Sequence, residues 1–375
     1  RKIEIAKLSS GESRRLVSEL LAIDNLPNSV RDIILAKSEG NPFFIEEVIR
    51  SLMERGLVYK ANDRWVADDN IIEVEVPDTI QSVVLERVDR LEAEAKYILQ
   101  CASVIGRLFK YNLLEHITQK QKELDTYLDE FERRDLAYPE RTVPEMEYAF
   151  KHALTQEATY QGILEQRKMA FHRNVALGIE RIYRERIEQF YEELAHHWEH
   201  SGDKEKTLEY LIKSADKAFS EFANGVALKY YTKAIELVEQ GIKTSADLGE
   251  LYTKRGTSNQ EFNYYEEAIQ DFEMAIKYTK EKNRLVRLYT NIAATHSWAI
   301  FNPKLAIEYS DRAMAEIDYS VKLTDNIEII IDLSMSLVLF RDFELIKSMM
   351  DKAMEIAKEI NDKPRLAVIY TLSSW

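Results

Sequence analysis

The sequence contains a repeated pattern of residues. One copy is ADKAFSEFANGVALKYYTKA, residues 215–234, and the next copy is GTSNQEFNYYEEAIQDFEMA, residues 256–275. Each stretch opens on a small residue, and a second small residue, an aromatic residue and an alanine follow at offsets 12, 16 and 19. Small residues let two antiparallel helices approach closely, so the spacing predicts a series of helical hairpins. Two further copies use larger or more polar residues inside: Ala294, Ala306, Ser310 and Ala313, then Ser334, Ile346, Met350 and Ala353.

This unit resembles the tetratricopeptide repeat, although its length of 38 to 41 residues exceeds the usual ~34 of that family. Arrays of such repeats stack into a superhelix whose concave face binds peptide or protein. We predict further hairpins from a helix near residues 188–200 and another from Arg365. Five tyrosines could line the concave face, or could fill the space between helices, which is the common role of aromatic stripes: Tyr230, Tyr252, Tyr264, Tyr265 and Tyr289.

Composition favours a mainly α protein without a nucleic-acid partner. Only 11 glycines and 7 prolines occur in 375 residues, too few for the turns of a sheet-rich fold. A net charge of −14 disfavours both nucleic acid and anionic membrane surfaces as partners, because each attracts clustered Lys and Arg. The single Cys101 excludes an internal disulfide, and no apolar run approaches the ~20 residues of a membrane span. We therefore expect a cytoplasmic protein.

The part of the chain before the repeats predicts two smaller helical domains. Apolar residues fall at helical spacing between residues 9 and 56, and the alternating segments 57–59 and 64–66 indicate a β-hairpin. Pro77-Asp78 predicts the start of a helix. Further helices near residues 111–117 and 123–134, followed by extended segments at 136–138 and 147–150, are typical of a winged helix.

A winged helix raises the alternative of a DNA-binding transcription regulator. Residues 119–141 carry seven acidic and five basic side chains in the element that would enter a DNA groove. Because this balance repels phosphate, we favour a winged helix that serves as a packing spacer, and salt-dependent binding to duplex DNA would support the alternative.

Candidate catalytic chemistry is sparse. His196, Glu199 and His200 match a zinc-hydrolase pattern, but Leu194, Ala195 and Trp198 of the same helix are needed for packing, so we assign no metal site. Cys101 lies on an apolar helix and indicates a buried thiol. The pairs Glu46-Glu47 and Asp129-Glu130 indicate solvated surface. With no phosphate-binding loop in the sequence, we assign no catalytic residue and predict that the chain is not an enzyme.

The corner Gly40-Asn41-Pro42 has two interpretations. Glycine permits a left-handed turn, asparagine caps, and proline suits the first helical position, so the triplet predicts a helix start. Such a corner can also press its proline ring and backbone amides against a ligand, and Phe43 and Phe44 follow it directly.

An ordered set of short motifs carries a wider resemblance: GNPFFIEE (40–47), PDTI (77–80), RVDRL (87–91), LQCASVIGRLF (99–109) and FKHALTQEATY (150–160). In this order they resemble the portion downstream of the nucleotide-binding core in signal-transduction ATPases with numerous domains, an AAA+-like family. Such proteins are joined to class III adenylate or guanylate cyclases, to protein kinases or to LuxR-type regulators. The resemblance implies three parts: residues 1–75 as the end of the ATPase core and a helical lid with a hairpin, 76–183 as the winged helix, and 184–375 as truncated repeats.

The resemblance also implies a nucleotide site that this chain supplies only in part. Pro42, with Gly40 and Asn41, matches a lid motif that places proline against adenine. His152 matches a winged-helix histidine that senses the β-phosphate of ADP, although Lys151 and Ala153 replace its usual neighbours. The fragment itself would hold no cofactor, whereas the full-length parent would hold ATP or ADP with Mg²⁺, and its ATPase or effector domain would be a partner. The alternative, that both residues only begin helices, stays open.

Overall fold

The computed structural model describes residues 7–21, 28–61, 64–68, 71, 77–120, 123–317, 324–341 and 343–373. The chain divides into two compact units. Unit 1 contains Arg1–Ile187 with His200–Gly202, and unit 2 contains Glu188–Glu199 with Asp203–Trp375. The predicted mainly α class with helical repeats is confirmed. Among the described helices, none has the length and apolarity needed to cross a membrane.

Unit 1 begins with a small helical bundle and a hairpin. β1 and β2 pair antiparallel, with Val58 opposite Ala67 and Ala61 opposite Arg64. Both the helices and the hairpin were predicted, except that Asn62 and Asp63 of its turn lie outside the described residues. The elements are α1 (Ser10–Leu21), α2 (Asn28–Ser38), α3 (Pro42–Glu54), β1 (Val58–Ala61) and β2 (Arg64–Ala67).

The rest of unit 1 combines six helices with a three-stranded antiparallel sheet of order β3-β5-β4. The sequence predicted the outer strand β4 and the central strand β5 but not β3, which has only three residues and so no alternation to detect. The elements are α4 (Ile80–Asp89), α5 (Ala93–Ile105), β3 (Leu108–Lys110), α6 (Tyr111–Thr118), α7 (Leu124–Arg133), β4 (Ala137–Arg141), β5 (Glu147–Phe150), α8 (Ala153–Gln161) and α9 (Glu165–Ile182).

Helix α4 begins later than the start predicted from Pro77-Asp78. It starts at Ile80, and the Thr79 hydroxyl caps it by accepting a hydrogen bond from the Ser82 amide at 3.2 Å. The prediction of a start at Pro77-Asp78 was therefore wrong, because a threonine with extended backbone satisfies the orphan amides better at this position.

Unit 2 is a series of helical hairpins in which consecutive helices pack in pairs. A 3₁₀ helix at Arg184–Phe190 leads into it, and a π-helical turn at Thr295–Ala299 follows one repeat helix. The helices are α10 (Tyr191–Ser201), α11 (Lys204–Ser220), α12 (Asn224–Glu239), α13 (Leu248–Glu261), α14 (Tyr265–Tyr278), α15 (Lys282–Ala294), α16 (Pro303–Glu316), α17 (Thr324–Leu337), α18 (Phe343–Glu359) and α19 (Lys363–Ser373).

The repeat pattern marks the contacts between paired helices. Every pattern residue is buried except Ala294 and Ile346, which are half-buried. At Gly256, an added Cβ would lie 2.7 Å from a ring carbon of Phe272, so the close approach excludes even alanine without a shift. In the third copy Ala293 takes the buried position instead of Ala294. The π-helical turn that follows adds one residue before the next helix, which accounts for this shift.

Candidate functional site

The Gly40-Asn41-Pro42 corner is fixed by its backbone. Gly40 has φ +77°, and a Cβ there would lie 2.3 Å from the Leu8 carbonyl oxygen, so only glycine fits. Its own carbonyl accepts a hydrogen bond from the Leu8 amide at 2.9 Å. Asn41 caps α3, because its side-chain oxygen accepts from the Phe43 amide at 3.0 Å. Pro42 occupies the first turn of α3 and is exposed.

His152 lies against the same end of α3. It precedes α8 in extended backbone but makes no capping hydrogen bond with its side chain. Its ring packs on Phe43 with centroids 4.3 Å apart, and its Nε2 lies 3.9 Å from a Glu46 carboxylate oxygen. The fold thus brings the proline corner and this histidine to one place, although 110 residues separate them in sequence.

The imidazole of His152 is favoured in its neutral form, and its Nε2 atom is not used in a hydrogen bond with the described residues. Burial lowers its pKa below the ordinary value, and this effect outweighs the charge of Glu46, which raises it. Nε2 is buried and has no hydrogen-bond partner among the residues that the structure describes. Such an atom can still accept or donate one hydrogen bond to a ligand.

Four charged side chains next to His152 form ion pairs between α3 and the segments that precede β4 and follow β5. The Arg50 guanidinium donates to Glu46 at 2.8 Å and pairs with Asp135, while the Lys151 ammonium lies 2.9 Å from Asp135 and 3.5 Å from Glu46. Burial raises the pKa of Glu46, but the hydrogen bond from Arg50 and the neighbouring positive charges bring it below the ordinary value. Two acids and two bases therefore form a closed network next to the histidine.

A second charge cluster, built on the buried Arg87 and Glu47, lies further along α3. The Arg87 guanidinium of α4 donates to Glu47 at 2.5 Å, to Glu54 at 2.7 Å and to the Arg134 carbonyl at 2.5 Å. Arg87 and Glu47 are each 1% exposed. The interpretation of Glu46-Glu47 as solvated surface was therefore wrong: both carboxylates face cations on later elements, which a view of α3 alone could not include.

Sequence reasoning missed both clusters because each pairs residues far apart in the chain. Arg50 and Asp135 are 85 residues apart, and Arg87 and Glu47 are 40 apart. One local signal existed, since Glu46 and Arg50 are spaced i, i+4 on a helix. This spacing predicts the pair of Glu46 and Arg50, but it does not predict that Asp135 and Lys151 join the same network.

The five tyrosines of unit 2 have different environments. Tyr252 is buried, and its hydroxyl donates to Glu239 at 2.5 Å. Tyr230 and Tyr289 are half-buried against core clusters, and the Tyr230 hydroxyl donates to Glu192 at 3.2 Å. Tyr265 is half-buried and donates to Asn263, whereas Tyr264 is exposed. Most of these rings fill space between helices.

The candidate thiol and the candidate histidines differ in their exposure. Cys101 is buried, which raises the pKa of its thiol to about 12, so it is not a thiolate nucleophile at neutral pH. On α10 the residues expected to pack, Leu194, Ala195 and Trp198, are all buried. His196 and His200 are exposed.

Comparison with known proteins gives matches to parts of the chain. A family described as a domain of unknown function, DUF8739, matches residues 9–65. The hybrid signal transduction histidine kinase G of Dictyostelium discoideum is 29% identical over 98 residues, which is 25% of this chain and 3% of that protein. The chain thus spans a very small part of the curated relative.

Solved structures with a similar arrangement share 12% identity with this chain. They include a signal-transduction ATPase with a tetratricopeptide repeat sensor from Pyrococcus horikoshii, with a TM-score of 0.36 over 97% of this chain and 62% of that one. The quorum sensor NprR of B. thuringiensis has a TM-score of 0.42 over 97% and 81%. Aspartyl phosphate phosphatase F of Bacillus subtilis has a TM-score of 0.43 over 100% and 81%.

Proposed function

We propose that this chain is a non-catalytic regulatory and protein-interaction part of a cytoplasmic signal-transduction ATPase. In this proposal unit 1 supplies a helical lid and a winged helix that close over ADP or ATP with Mg²⁺. The phosphate-binding core that holds the nucleotide would belong to another part of the parent protein. The repeats of unit 2 would bind a protein or peptide partner and bias the nucleotide state.

The observation that carries the nucleotide proposal is the contact between the proline corner and His152. A lid can sense a nucleotide only if groups from two elements reach the same ligand, and Phe43 holds these two segments within one ring contact. Pro42 offers an exposed apolar ring to a base, and the buried Nε2 of His152 has capacity for one more hydrogen bond. A neutral imidazole can donate to a phosphate oxygen without a change of protonation.

The charged network beside the site gives a physical route from ligand to lid position. Arg50, Asp135, Lys151 and Glu46 join α3 to the end of α7 and the end of β5. A phosphate group near His152 would compete with Glu46 and Asp135 for the two cations, so the closed arrangement would differ between nucleotide states. A ligand shifts a two-state balance only through such a difference in affinity.

The test is ADP affinity in the parent protein, with the segment upstream of residue 1 included. We expect His152→Ala and Pro42→Ala each to weaken ADP binding about tenfold, equivalent to about 1.4 kcal/mol, measured by isothermal titration calorimetry. His116→Ala, a half-buried histidine on α6, is the matched control and should leave ADP affinity unchanged. Equal ADP affinity in all three variants would contradict the nucleotide proposal.

A further inference from the structure

Unit 2 carries exposed apolar side chains at the turns inside its helical hairpins, at one end of each helix pair. Phe222 lies between α11 and α12 and is 87% exposed; Phe301 lies between α15 and α16 and is 67% exposed. Between these two turns, Phe262 and Tyr264 flank the α13–α14 turn, and their exposed rings stack with centroids 5.9 Å apart. The fourth turn exposes Leu339 and Phe343. We call these side chains the turn edge.

Contacts between neighbouring repeats place the four turns side by side. A Cβ at Gly225, in the first turn of α12, would lie 3.1 Å from the Phe262 ring. The Gln260 amide donates to the Thr295 hydroxyl at 2.8 Å, and the Ser297 hydroxyl donates to the Ser336 carbonyl at 2.7 Å. The turn edge is therefore one continuous row along unit 2 and not four separate apolar residues.

Backbone geometry shows that the phenylalanines are not the residues that folding favours here. Phe222 has φ +58° and Phe301 has φ +57°, in the left-handed region where bulky L residues are rare. The Phe222 amide donates to the Phe219 carbonyl, and the Ala223 amide to the Ala218 carbonyl, which is the helix ending that glycine usually completes. At the corresponding position of the α13–α14 turn, Asn263 has φ +61°, and asparagine suits that conformation.

Phe222 and Phe301 therefore combine an exposed ring with a backbone conformation that is unfavourable for a bulky side chain. Strain of this kind at exposed residues is found where a ligand or partner makes use of the side chain. We propose that the turn edge is a docking surface for a cationic amphipathic segment of a protein partner. This inference rests on the proposed partner-binding role of the repeats, and it assigns that role to a surface that includes Tyr264 but not Tyr230, Tyr252, Tyr265 or Tyr289.

The charged side chains around the turn edge indicate which kind of partner segment it would bind. Its exposed acidic neighbours form no ion pair with any residue that the structure describes: Glu221, Glu261, Glu266, Glu267 and Glu344. Of the nearby bases, Arg341 is engaged by Asp311 at 2.7 Å, whereas Lys304 and Lys347 are exposed on the helices that follow two of the turns, so acidic side chains outnumber free bases along the turn edge. A row of apolar side chains with an acidic margin matches a segment that alternates Lys or Arg with apolar residues. A second copy of this chain, with net charge −14, would bring two acidic margins together.

The test uses the 375-residue chain and a fluorescein-labelled amphipathic peptide of about 21 residues built from leucine and lysine, which as a helix spans about 30 Å. Binding is measured by fluorescence anisotropy. We expect Phe222→Asn/Phe301→Asn to weaken binding at least tenfold while the melting temperature stays equal or rises, because asparagine tolerates positive φ. Leu164→Asn removes an equally exposed apolar residue from unit 1 and should leave binding unchanged.

Two further peptides distinguish the effect of peptide charge on binding from the effect of the amphipathic pattern. A scrambled peptide of the same composition should bind at least tenfold more weakly, and so should a peptide with glutamate in place of lysine. The triple variant Glu261→Gln/Glu266→Gln/Glu267→Gln should weaken binding of the lysine peptide and reduce its salt dependence. Equal binding of the lysine and glutamate peptides would overturn the inference.

Other results would also overturn it. If the double asparagine variant binds the lysine peptide as tightly as the wild type, the repeats bind a partner through another surface, as the proposed function still allows. If the wild type dimerises in sedimentation velocity and the double variant does not, the occupant is a second copy. If phosphatidylcholine vesicles retain the wild type but not the double variant, the occupant is a lipid surface. ADP affinity of the parent protein tests unit 1 and is independent of all these results.

Discussion

Contacts between charged groups are prominent in unit 1 and contacts of repeated small residues are prominent in unit 2, although unit 2 also contains an ion pair between Arg255 and the buried Asp271. In unit 1, α3 is attached to later elements by charged groups from distant parts of the sequence, and Arg87 is buried among two carboxylates and a carbonyl. In unit 2, neighbouring helices meet through small residues that repeat along the chain, such as Gly256 against Phe272. Buried charge requires each specific partner, whereas repeated small residues require only that no side chain becomes larger.

The largest effect should come from breaking the buried charge cluster of unit 1. Arg87→Met leaves the Glu47 carboxylate, 1% exposed, without its cation. Removing one partner of a buried pair costs about 3–5 kcal/mol, so we expect this loss in the free energy of unfolding of unit 1, measured by urea denaturation. Arg15→Ala is the control: its pair with Glu19 is exposed to solvent, and its removal should leave the free energy of unfolding nearly unchanged. Similar losses in both variants would mean that burial of Arg87 does not matter.

A smaller effect is expected from filling a repeat contact in unit 2. The Cβ of Gly256→Ala would meet the Phe272 ring at 2.7 Å, and overpacking of this kind costs about 1–3 kcal/mol. The loss should appear in unit 2 and leave the unit 1 transition in place, which segment-resolved hydrogen exchange can show. Gly11→Ala in α1 adds the same methyl group where nothing lies within 4 Å, and it should not destabilise the protein. An unchanged Gly256→Ala protein would mean that Phe272 moves aside freely.

This difference also explains how much of the molecule could be predicted from its sequence. The repeats were predicted at the level of single contacts, because a fixed offset between small residues records which helix faces meet. Two pattern residues, Ala294 and Ile346, are only half-buried, and Ala294 lies beside the π-helical turn that adds a residue. In unit 1 the helices and hairpin were predicted from local periodicity. Its long-range ion pairs have no local signal, and neither does the three-residue strand β3.

The candidate site divides in the same way. The cap geometry of Gly40, Asn41 and Pro42 follows from the residue types alone, and the structure has it. The packing of His152 on Phe43 could not be predicted from the sequence. The family resemblance assigns a role to His152 but none to Phe43, and only the tertiary fold brings the two rings together. The turn edge has no signal in the sequence, because Phe222 and Phe301 differ from other apolar residues only in their exposure and their positive φ angles.

The smallest effect is expected at the half-exposed network that joins α3 to His152, and it depends on pH. Because the folded-state pKa of Glu46 is lowered, its stabilising effect is fully present above its ordinary value of 4.5 and is lost as pH falls through the lower folded value. Glu46→Gln should therefore cost about 1 kcal/mol at pH 7 and progressively less as the pH drops below 4.5. Melting temperatures from pH 3 to pH 7 measure this convergence. Glu19→Gln, which removes an exposed partner of Arg15, is the control and should follow the wild type across this range. A constant gap between Glu46→Gln and the wild type would show that Glu46 acts by packing and hydrogen bonding alone, and the network could then not respond to a nearby phosphate through its charge.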